Sequence, residues 1–294
     1  FSTVNIEREQ GLLQTTQKFL WRLEDNQLVE SVLIPANTSL YGETSDRYTL
    51  CVSTQVGCAY GCRFCASGLE GFKRNLKPAE IVDQVLSVER MQQGQRANHS
   101  RLITNLVIMG MGEPLANYPN LMSALEILNA QWGANIGARK ITISTSGLAP
   151  QIRKLAKEPH QYRLAVSLHG ATDEIRNKLM PINKKYPLCE LIASIEEYQS
   201  SKNGMITLEY ILIAGLNDNL SQALALGKIA ERLRAKLNLI PYNEVDEFQW
   251  ERPRQAAQDA FLNKLIKLGV PATLRREKGH DIDAACGQLR LRTE

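Results

Sequence analysis

Three cysteines close together in the chain have the spacing of a metal-binding motif. Cys58, Cys62 and Cys65 form the pattern C-x3-C-x2-C. Three thiolates on one loop can bind three corners of an iron–sulfur cubane, whereas fully ligated clusters normally have four. The pattern therefore predicts a cluster with one iron open to another ligand. A structural zinc site is the alternative, although zinc favours four ligands in two pairs and the sequence has no second C-x2-C or C-x2-H pair.

Three further cysteines could serve thiol chemistry or packing. The chain has six cysteines and no recognisable secretory signal, which favours metal binding or thiol chemistry over a disulfide scaffold. Cys51 precedes the motif by seven residues and is either a buried strand residue or a fourth cluster ligand. Cys286 lies in Ala-Ala-Cys-Gly-Gln, which favours an accessible loop, although a lone cysteine is often buried filler. Cys189 begins an apolar helical segment and is predicted to be a core residue.

Small and polar residues follow several strand-like runs. Gly112 and Glu113 come after one run, and Ser144 and Ser167 lie at the ends of two others. Glycine permits a tight turn and a close approach of the backbone to a ligand, although an ordinary loop between strand and helix would also explain these residues. His169 follows the same strand as Ser167 and is either a ligand contact or a histidine satisfied within the core.

Strand-like apolar runs alternate with helical segments from residue 49 onward. The strand-like runs are 49–54, 105–110, 140–145, 162–168, 206–213 and 237–242. The helical segments are 79–91, 121–130, 149–158, 188–198, 220–234 and 256–269. This alternation indicates βαβ units and a parallel sheet. Six units are too few for a closed eight-stranded barrel, so we expect an α/β fold, a partial (β/α)6 barrel with its ligand site at the strand carboxyl ends.

The N-terminal region has a different pattern. Segments 18–25 and 28–35 alternate in hydrophobicity, which predicts a β-hairpin or small sheet. We therefore divide the chain into an N-terminal β extension, 1–47, and an α/β domain, 48–294.

The composition is that of an ordinary globular protein. Of the 294 residues, 44% are hydrophobic and 22% are charged, and the formal net charge is +4. No apolar run is long enough to span a membrane, and the first residues lack the charged start and apolar core of a secretory signal. These features predict a cytoplasmic protein without a membrane partner. Basic residues near the cysteine motif and the C-terminal end are either solvated surface or contacts to phosphates.

Six sequence blocks resemble the radical SAM RNA adenine methyltransferases of the RlmN/Cfr family. They are CVSTQVGCAYGCRFCASGLEGFKRNL at 51–76, MGMGEPLANY at 109–118, ITISTSGLAP at 141–150, AVSLHGATDEIRNKLMPINKKYPL at 165–188, LIPYN at 239–243 and DIDAACGQL at 281–289. The resemblance implies one [4Fe–4S] cluster per chain, held by the three motif cysteines. Its open iron would chelate the amino and carboxylate groups of S-adenosylmethionine, with Phe64 packed near the adenine.

The resemblance also implies roles for other residues. Glu113 would accept hydrogen bonds from the methionine ammonium group. Cys286 would carry a methyl group, Cys51 would resolve the product, and Glu30 in VESVLIP would accept a proton. The implied contacts to S-adenosylmethionine are Gly112, Glu113, Ser144, Ser167, Leu168, His169 and Asn243.

The implied reaction consumes two S-adenosylmethionine molecules per turnover. The first methylates Cys286, and the second is cleaved by an electron from the cluster to give a 5′-deoxyadenosyl radical. This radical takes a hydrogen from the Cys286 methyl group, and the carbon radical adds to C2 of an adenine. After Glu30 or another base removes the ring proton, attack by Cys51 on Cys286 releases the RNA and leaves a disulfide between the two cysteines.

The implied partners follow from the same family. The substrate would be an adenosine of 23S ribosomal RNA, with a tRNA adenosine as a second substrate. A low-potential protein such as flavodoxin or ferredoxin would donate the electron, and we expect a monomer. The chain departs from the family pattern by an insertion at 37–46, between Glu30 and Cys51. We also expect the helical RNA-binding extension of the family's N-terminus to be largely absent.

Three alternatives stay open from the sequence. The first is methylation of adenine C8, the antibiotic-resistance branch of the same family. The second is a radical SAM activase that abstracts hydrogen from a partner protein, which would need neither Cys51 nor Cys286. The third is a non-enzymatic iron–sulfur or zinc module that binds RNA.

Overall fold

The fold is built on a ten-stranded sheet and a separate two-stranded hairpin. The computed structural model describes residues 2–12, 15–36, 47–92, 101–202, 204–275 and 288–289. The strands are β1 Val4–Gln10, β2 Gln17–Leu23, β3 Leu28–Pro35, β4 Tyr48–Cys51, β5 Gln55–Gly57, β6 Phe72–Asn75, β7 Ile103–Ile108, β8 Ile141–Thr145, β9 Arg163–Ser167, β10 Thr207–Leu212, β11 Lys236–Pro241 and β12 Ala272–Leu274. The main sheet has the order β1-β2-β3-β4-β7-β8-β9-β10-β11-β12, and β5 pairs with β6.

The sheet is antiparallel at one end and parallel over the rest. Strands β1 to β4 pair antiparallel, whereas β4 and β7 to β12 pair parallel throughout. The α-helices of the described residues are α1 Pro78–Gln92, α2 Tyr118–Asn129, α3 Ala149–Ala156, α4 Asp173–Leu179, α5 Leu188–Lys202, α6 Leu220–Arg232 and α7 Gln255–Lys267. Six strand–helix units followed by β12 confirm the predicted partial barrel.

The parallel strands and the helices differ in how they bury apolar residues. Leu164, Ala165 and Val166 in β9 are all buried, as expected for a strand covered on both faces. In α3, Ile152 and Leu155 are buried while the adjacent basic side chains reach solvent, as expected for an amphipathic helix on the outside of a barrel. The sequence periodicity therefore located these elements correctly.

The N-terminal strands are tied to the first barrel helix by a buried hydrogen-bond chain. The Trp21 indole donates to Ser31 Oγ at 3.1 Å, and Ser31 Oγ donates to Gln84 Oε1 at 2.7 Å. The backbone N–H of Ser53 donates to the same Gln84 oxygen at 2.9 Å. Strands β1 to β3 thus continue the barrel sheet, and the division of the chain at residue 47 stays a prediction.

The position of Cys189 and the length of the helices bear on two of the sequence-based predictions. The prediction that Cys189 is a core residue is wrong, because it is exposed at the start of α5. Its neighbour Leu188 takes the buried position on that helix instead. In the part of the chain that the structure describes, no helix is both long and apolar enough to cross a membrane.

Candidate active site

A cavity opens at the carboxyl ends of the parallel strands, where barrel ligands bind. Its empty volume, including the open mouth, is about 930 Å³. Its wall includes residues from the ends of β7, β8, β9, β10 and β11, together with the cysteine loop. The described lining residues are Cys58, Tyr60, Cys62, Phe64, Cys65, Ile108, Met109, Gly110, Gly112, Glu113, Pro114, Ser144, Thr145, Ser146, Ser167, His169, Met180, Glu209, Ile211, Ile240 and Arg275.

The three motif cysteines lie on the loop between β5 and β6 and all face this cavity. At the base of the loop, Cys58 N–H donates to the Gly71 carbonyl at 3.3 Å. In its middle, Arg63 N–H donates to the Leu179 carbonyl at 2.9 Å, and the Trp250 indole donates to the Arg63 carbonyl at 2.7 Å. Neighbouring elements therefore fix both the base and the middle of the loop.

The cysteines fit an iron–sulfur cluster better than a zinc ion. Burial raises the pKa of the Cys58 thiol to about 12 and that of Cys62 well above its ordinary value. A bound metal removes this cost, because a coordinating thiol loses its proton outright. Among the described residues, no three His, Cys, Asp or Glu side chains lie close enough to share one ion. Three thiolates on one loop can each bind a separate iron of a cubane, whereas a structural zinc ion takes four ligands.

Glu113 is buried in the cavity wall and is held by backbone amides. Its Oε2 accepts from Ser146 N–H at 2.6 Å and its Oε1 accepts from Leu115 N–H at 3.0 Å, where it caps a short 3-10 helix. Burial raises the pKa of the carboxyl, and the backbone hydrogen bonds oppose that rise. The carboxylate thus bridges the loops after β7 and β8 and can accept a cationic group from the cavity.

Gly110 and Gly112 are required by packing within the protein. A Cβ on Gly110 would lie 2.7 Å from the Val52 carbonyl oxygen. Gly112 has φ +102°, and its Cβ would lie 2.5 Å from Gln55 Cβ. The backbone at both glycines therefore lies close to residues 52–55, the segment after β4. This packing brings Glu113 to the cavity wall.

His169 lies in the cavity wall as a neutral imidazole. It has φ +55°, and its Nδ1 accepts from Ile211 N–H at 3.0 Å. The ring meets Phe64 edge to face at 4.7 Å. Burial and the nearby Arg176 lower its pKa to about 3. Since Nδ1 accepts, the proton lies on Nε2, which can donate to a bound ligand.

The other predicted cofactor contacts divide into two groups. Ser144 and Ser167 line the cavity together with Gly112, Glu113 and His169. Leu168 and Asn243 are buried, with exposed fractions of 0% and 4%, and are not among the described residues of the cavity lining. The backbone N–H of Leu168 is used within the sheet, where it donates to the Glu209 carbonyl at 3.0 Å.

Cys51 is not among the described residues of the cavity lining and belongs to a small apolar cluster. It ends β4 and packs with Val32, Met111 and Leu289, and Met109 contacts both this cluster and the cavity. The predicted methyl carrier Cys286 lies outside the described residues. Leu289 is three residues further along, and its carbonyl accepts from Ser67 Oγ at 2.8 Å, close after Cys65. The described end of the C-terminal segment therefore lies between Cys51 and the cysteine loop.

Glu30 is buried on β3, with an exposed fraction of 2%. Its Oε1 lies 3.3 Å from Lys18 Nζ, and its carbonyl accepts from Ser53 Oγ at 2.6 Å. Val32 pairs directly with Cys51 across the antiparallel β3–β4 register. Glu30 is two residues before Val32 on β3. Because alternate residues of a strand share a face, Glu30 lies on the same face of the sheet as Val32 and Cys51. The segment 37–46 lies outside the described residues, and the strands on either side of it pair directly.

Several cavity residues escaped the sequence analysis. Thr145 and Ser146 directly follow the predicted Ser144, and Glu209 is a charged residue inside the apolar run ITLEYILI. A carboxylate within a buried strand is costly, so Glu209 carried a signal that could have been used. Met180 carried none, because chain folding alone brings it to the cavity, and Arg275 was noted only as one of the basic residues near the C-terminal end.

Comparisons with known proteins agree with this geometry. A sequence model of the Radical SAM superfamily matches residues 52–226. The chain is 55% identical over 294 residues to a probable dual-specificity RNA methyltransferase RlmN from Akkermansia muciniphila, which covers 100% of this chain and 80% of the relative. It is 45% identical over 290 residues to the dual-specificity RNA methyltransferase RlmN of Anaeromyxobacter dehalogenans, covering 98% of this chain and 75% of that relative.

A solved structure is similar over nearly the whole chain. The crystal structure of a radical SAM methyltransferase from Sphaerobacter thermophilus matches with a TM-score of 0.91 and 42% sequence identity. The match covers 99% of this chain and 82% of that chain.

Proposed function

We propose that this chain, which belongs to the RlmN family of radical SAM RNA methyltransferases, methylates C2 of an adenosine in RNA. The convergence of two groups on one cavity carries the proposal. Three thiol ligands line the cavity from the cysteine loop, and Glu113, Ser144, Ser167 and His169 are among the other lining residues. The first group suits a cluster with one open iron, and the second suits a zwitterionic amino acid cofactor.

The chain's residues would hold the cofactors as follows. Cys58, Cys62 and Cys65 would bind a [4Fe–4S] cluster, which with S-adenosylmethionine supplies the radical chemistry. Glu113 would accept the methionine ammonium group, because its carboxylate is fixed by backbone amides at the cavity wall. His169 would donate from Nε2. The hydroxyls and backbone of the loops after β8 and β9 would complete the cofactor site.

Two cysteines would carry and release the methyl group. We assign Cys286 as the methyl acceptor and Cys51 as the resolving thiol. The proximity of Leu289 to both Cys51 and the cysteine loop supports this assignment, because it brings the C-terminal segment close to the cavity. Glu30 would accept the ring proton, supported by its position on the same sheet face as Cys51.

The finer assignments of partners belong to the same proposal. The relatives' names specify dual-specificity RNA methylation, and we propose 23S ribosomal RNA and tRNA as the two substrates. A target base within a stacked helix would have to be extruded to reach a cavity at the strand ends. A flavodoxin or ferredoxin as electron donor, a monomeric state and a cytoplasmic location stay predictions.

Analysis of modified nucleosides tests the proposal. The protein is reconstituted anaerobically with iron and sulfide and incubated with S-adenosylmethionine, a reductant, and either a 23S ribosomal RNA fragment or tRNA. Mass spectrometry of the digested RNA should then detect 2-methyladenosine. Detection of 8-methyladenosine would favour the C8 alternative, and unmodified RNA from cluster-loaded protein would contradict both.

Two cysteine variants provide the matched controls. Cys58→Ala should abolish both cluster binding and RNA methylation. Cys189→Ala removes an exposed thiol on α5, away from the cavity lining, and should leave both unchanged.

A further inference from the structure

Arg176 is a buried cation beside the cavity that the reaction scheme does not use. It lies on α4 with an exposed fraction of 0% and is among the largest fully buried side chains. A fully buried arginine is rare unless its charge is compensated. Other groups must therefore compensate the charge of Arg176.

The guanidinium joins the loops that follow two neighbouring barrel strands. Its Nε donates to the Leu168 carbonyl at 3.1 Å, and its Nη2 donates to the carbonyls of Ser146 and Ser167, the latter at 3.3 Å. Ser146 follows β8, whereas Ser167 and Leu168 end β9 and begin its loop. A planar guanidinium has several donors in a fixed arrangement, so it can hold these carbonyls at set separations.

Two glycines leave the space that this arginine occupies. A Cβ on Gly147, at φ +111°, would lie 2.9 Å from Arg176 Nη2. A Cβ on Gly170 would lie 2.6 Å from the Arg176 backbone nitrogen. Both glycines lie in the loops that carry the proposed cofactor contacts. The loops and the arginine are thus packed as one unit.

The guanidinium has no carboxylate in ion-pair contact among the residues that the structure describes. Its remaining side-chain acceptor is Asn183 Oδ1 at 3.0 Å, and Asn183 in turn donates to Asp173 Oδ1 at 2.8 Å. The residue after Cys62 is joined to the helix that carries this arginine, because Arg63 N–H donates to the Leu179 carbonyl at 2.9 Å, one turn along α4 from Arg176. A guanidinium is always charged in proteins, so α4 places a permanent positive charge near Cys62.

We propose that Arg176 is a positioning residue with two separable effects on the radical SAM site. Its hydrogen bonds hold the loops after β8 and β9 in the spacing that binds S-adenosylmethionine. Its charge lies close to Cys62 and makes a cluster bound there easier to reduce, because net charge around a cluster sets its reduction potential. This inference rests on the proposed function and adds a determinant of cofactor affinity and potential.

Two variants separate the hydrogen bonds from the charge. Arg176→Lys keeps the positive charge but replaces the fork of donors with one ammonium group, which cannot span three carbonyls. Asn183→Asp, combined with Asp173→Asn so that the new carboxylate does not face a second one, places a carboxylate against the guanidinium and opposes its field. Arg176→Met removes both effects. Arg153→Met is the matched control, because Arg153 pairs with Glu197 at 2.8 Å on the partly exposed face of α3.

The measurements use anaerobically cluster-loaded protein. The reduction potential comes from a titration followed by electron paramagnetic resonance, and the Kd of S-adenosylmethionine from equilibrium binding. Arg176→Lys should raise the Kd by about tenfold or more and change the reduction equilibrium by less than about threefold. The double variant, Asn183→Asp with Asp173→Asn, should change the Kd by less than about threefold and make the potential more negative by about 59 mV, a tenfold change for one electron. Arg176→Met should change both quantities, and Arg153→Met neither.

The proposal is overturned if Arg176→Lys and the double variant both leave the Kd and the potential at the wild-type values. It is also overturned if both variants lose the cluster together with their secondary structure, since Arg176 would then serve only the fold. Failure of the proposed function has a different result, because the wild-type protein itself would then bind no cluster or leave RNA unmethylated.

Discussion

Glu209 is a carboxylate buried in the cavity wall, and burial raises its pKa above the ordinary value of 4.5. The charge of Arg275 and a hydrogen bond that Asn238 donates to Glu209 Oε2 at 2.6 Å only partly offset the effect of burial on this pKa. The Glu209 carboxyl therefore ionises at a lower pH in the unfolded chain than in the folded protein. As a result, the carboxyl destabilises the folded state progressively as the pH rises from the unfolded value through the folded value.

Glu209→Gln should remove this pH-dependent cost while keeping an oxygen that Asn238 can donate to. We expect the free energy of unfolding of the variant to exceed that of the wild type at pH 7. The two should become similar at pH 4, where the carboxyl is largely protonated in both states. Urea denaturation at both pH values measures the difference, and a gap independent of pH would show that ionisation of Glu209 is not its cause.

Cys51→Ala should trap methylated RNA on the protein. Without the resolving thiol, the bond between Cys286 and the adenine cannot be exchanged for a disulfide, and the covalent product should persist. Denaturing gel electrophoresis with labelled RNA detects it as a band of reduced mobility. Cys286→Ala is the control and should give neither this band nor free methylated RNA while it retains the cluster. Free methylated RNA from Cys51→Ala would contradict the resolving role.

At this scale, the sequence predicted residues whose chemistry is unusual for their position. The cysteine spacing and the Gly112–Glu113 pair identified parts of one cavity. Arg176 could not be recognised, because an arginine in a sequence does not reveal whether folding will bury it. Leu168 and Asn243 were predicted to contact the cofactor from the family resemblance alone. Both lie outside the described cavity lining, so a cofactor contact of either residue would differ from that of Ser144, which lines the cavity.

The element that presents the cysteines is the β5–β6 hairpin. Gly57 has φ +71°, and a Cβ there would lie 1.8 Å from the Gly71 carbonyl oxygen. Gly61, between the first two cysteines, has no atom within 4 Å of its Cβ position. The two glycines belong to one hairpin, but a Cβ would clash with the backbone at Gly57 and would meet no neighbouring atom at Gly61.

Gly57→Ala should open the base of the cysteine loop and greatly reduce bound iron. The left-handed backbone costs a non-glycine residue about 1–3 kcal/mol, and the clash with Gly71 adds to that cost. Gly61→Ala, the matched control, should bind iron as the wild type does. Iron and sulfide analysis after anaerobic reconstitution measures both, and equal loading of the two variants would show that the hairpin base does not position the cysteines.

Helices and strands of the barrel were predictable where periodicity was strong, as in 220–234 and 206–213. The short helix α4 was not predicted, because seven residues carry too few repeats to reveal a helical face. The hairpin of β5 and β6 was also missed, since its strands have three and four residues and flank the motif loop. Their positions depend on contacts with distant parts of the chain.

The molecule as a whole is organised around one continuous sheet that includes the N-terminal strands. Phe19 and Trp21 of β2 stack at 5.5 Å and belong to the same core as the barrel strands. The sequence indicated a separate extension because its strands alternate without intervening helices. That pattern could not reveal that β3 pairs with β4 and that Glu30 thereby comes close to Cys51.

Trp21→Ala should destabilise the entire protein, not only the N-terminal strands. It leaves a large cavity and breaks the hydrogen bond to Ser31, which we expect to cost about 3–5 kcal/mol. Circular dichroism and cluster absorbance should follow the same unfolding transition, shifted to lower denaturant. Two separate transitions, with the cluster lost at the wild-type midpoint, would instead support an independent N-terminal unit.

Mass analysis of the Cys286 peptide tests the central claim most directly. The claim is that one thiol outside the cluster carries the carbon that is transferred to RNA. After cluster-loaded protein is incubated with S-adenosylmethionine and digested, the peptide containing Cys286 should carry one added methyl group, and those containing Cys51 and Cys189 should carry none. An unmodified Cys286 peptide in protein that methylates RNA would contradict the account.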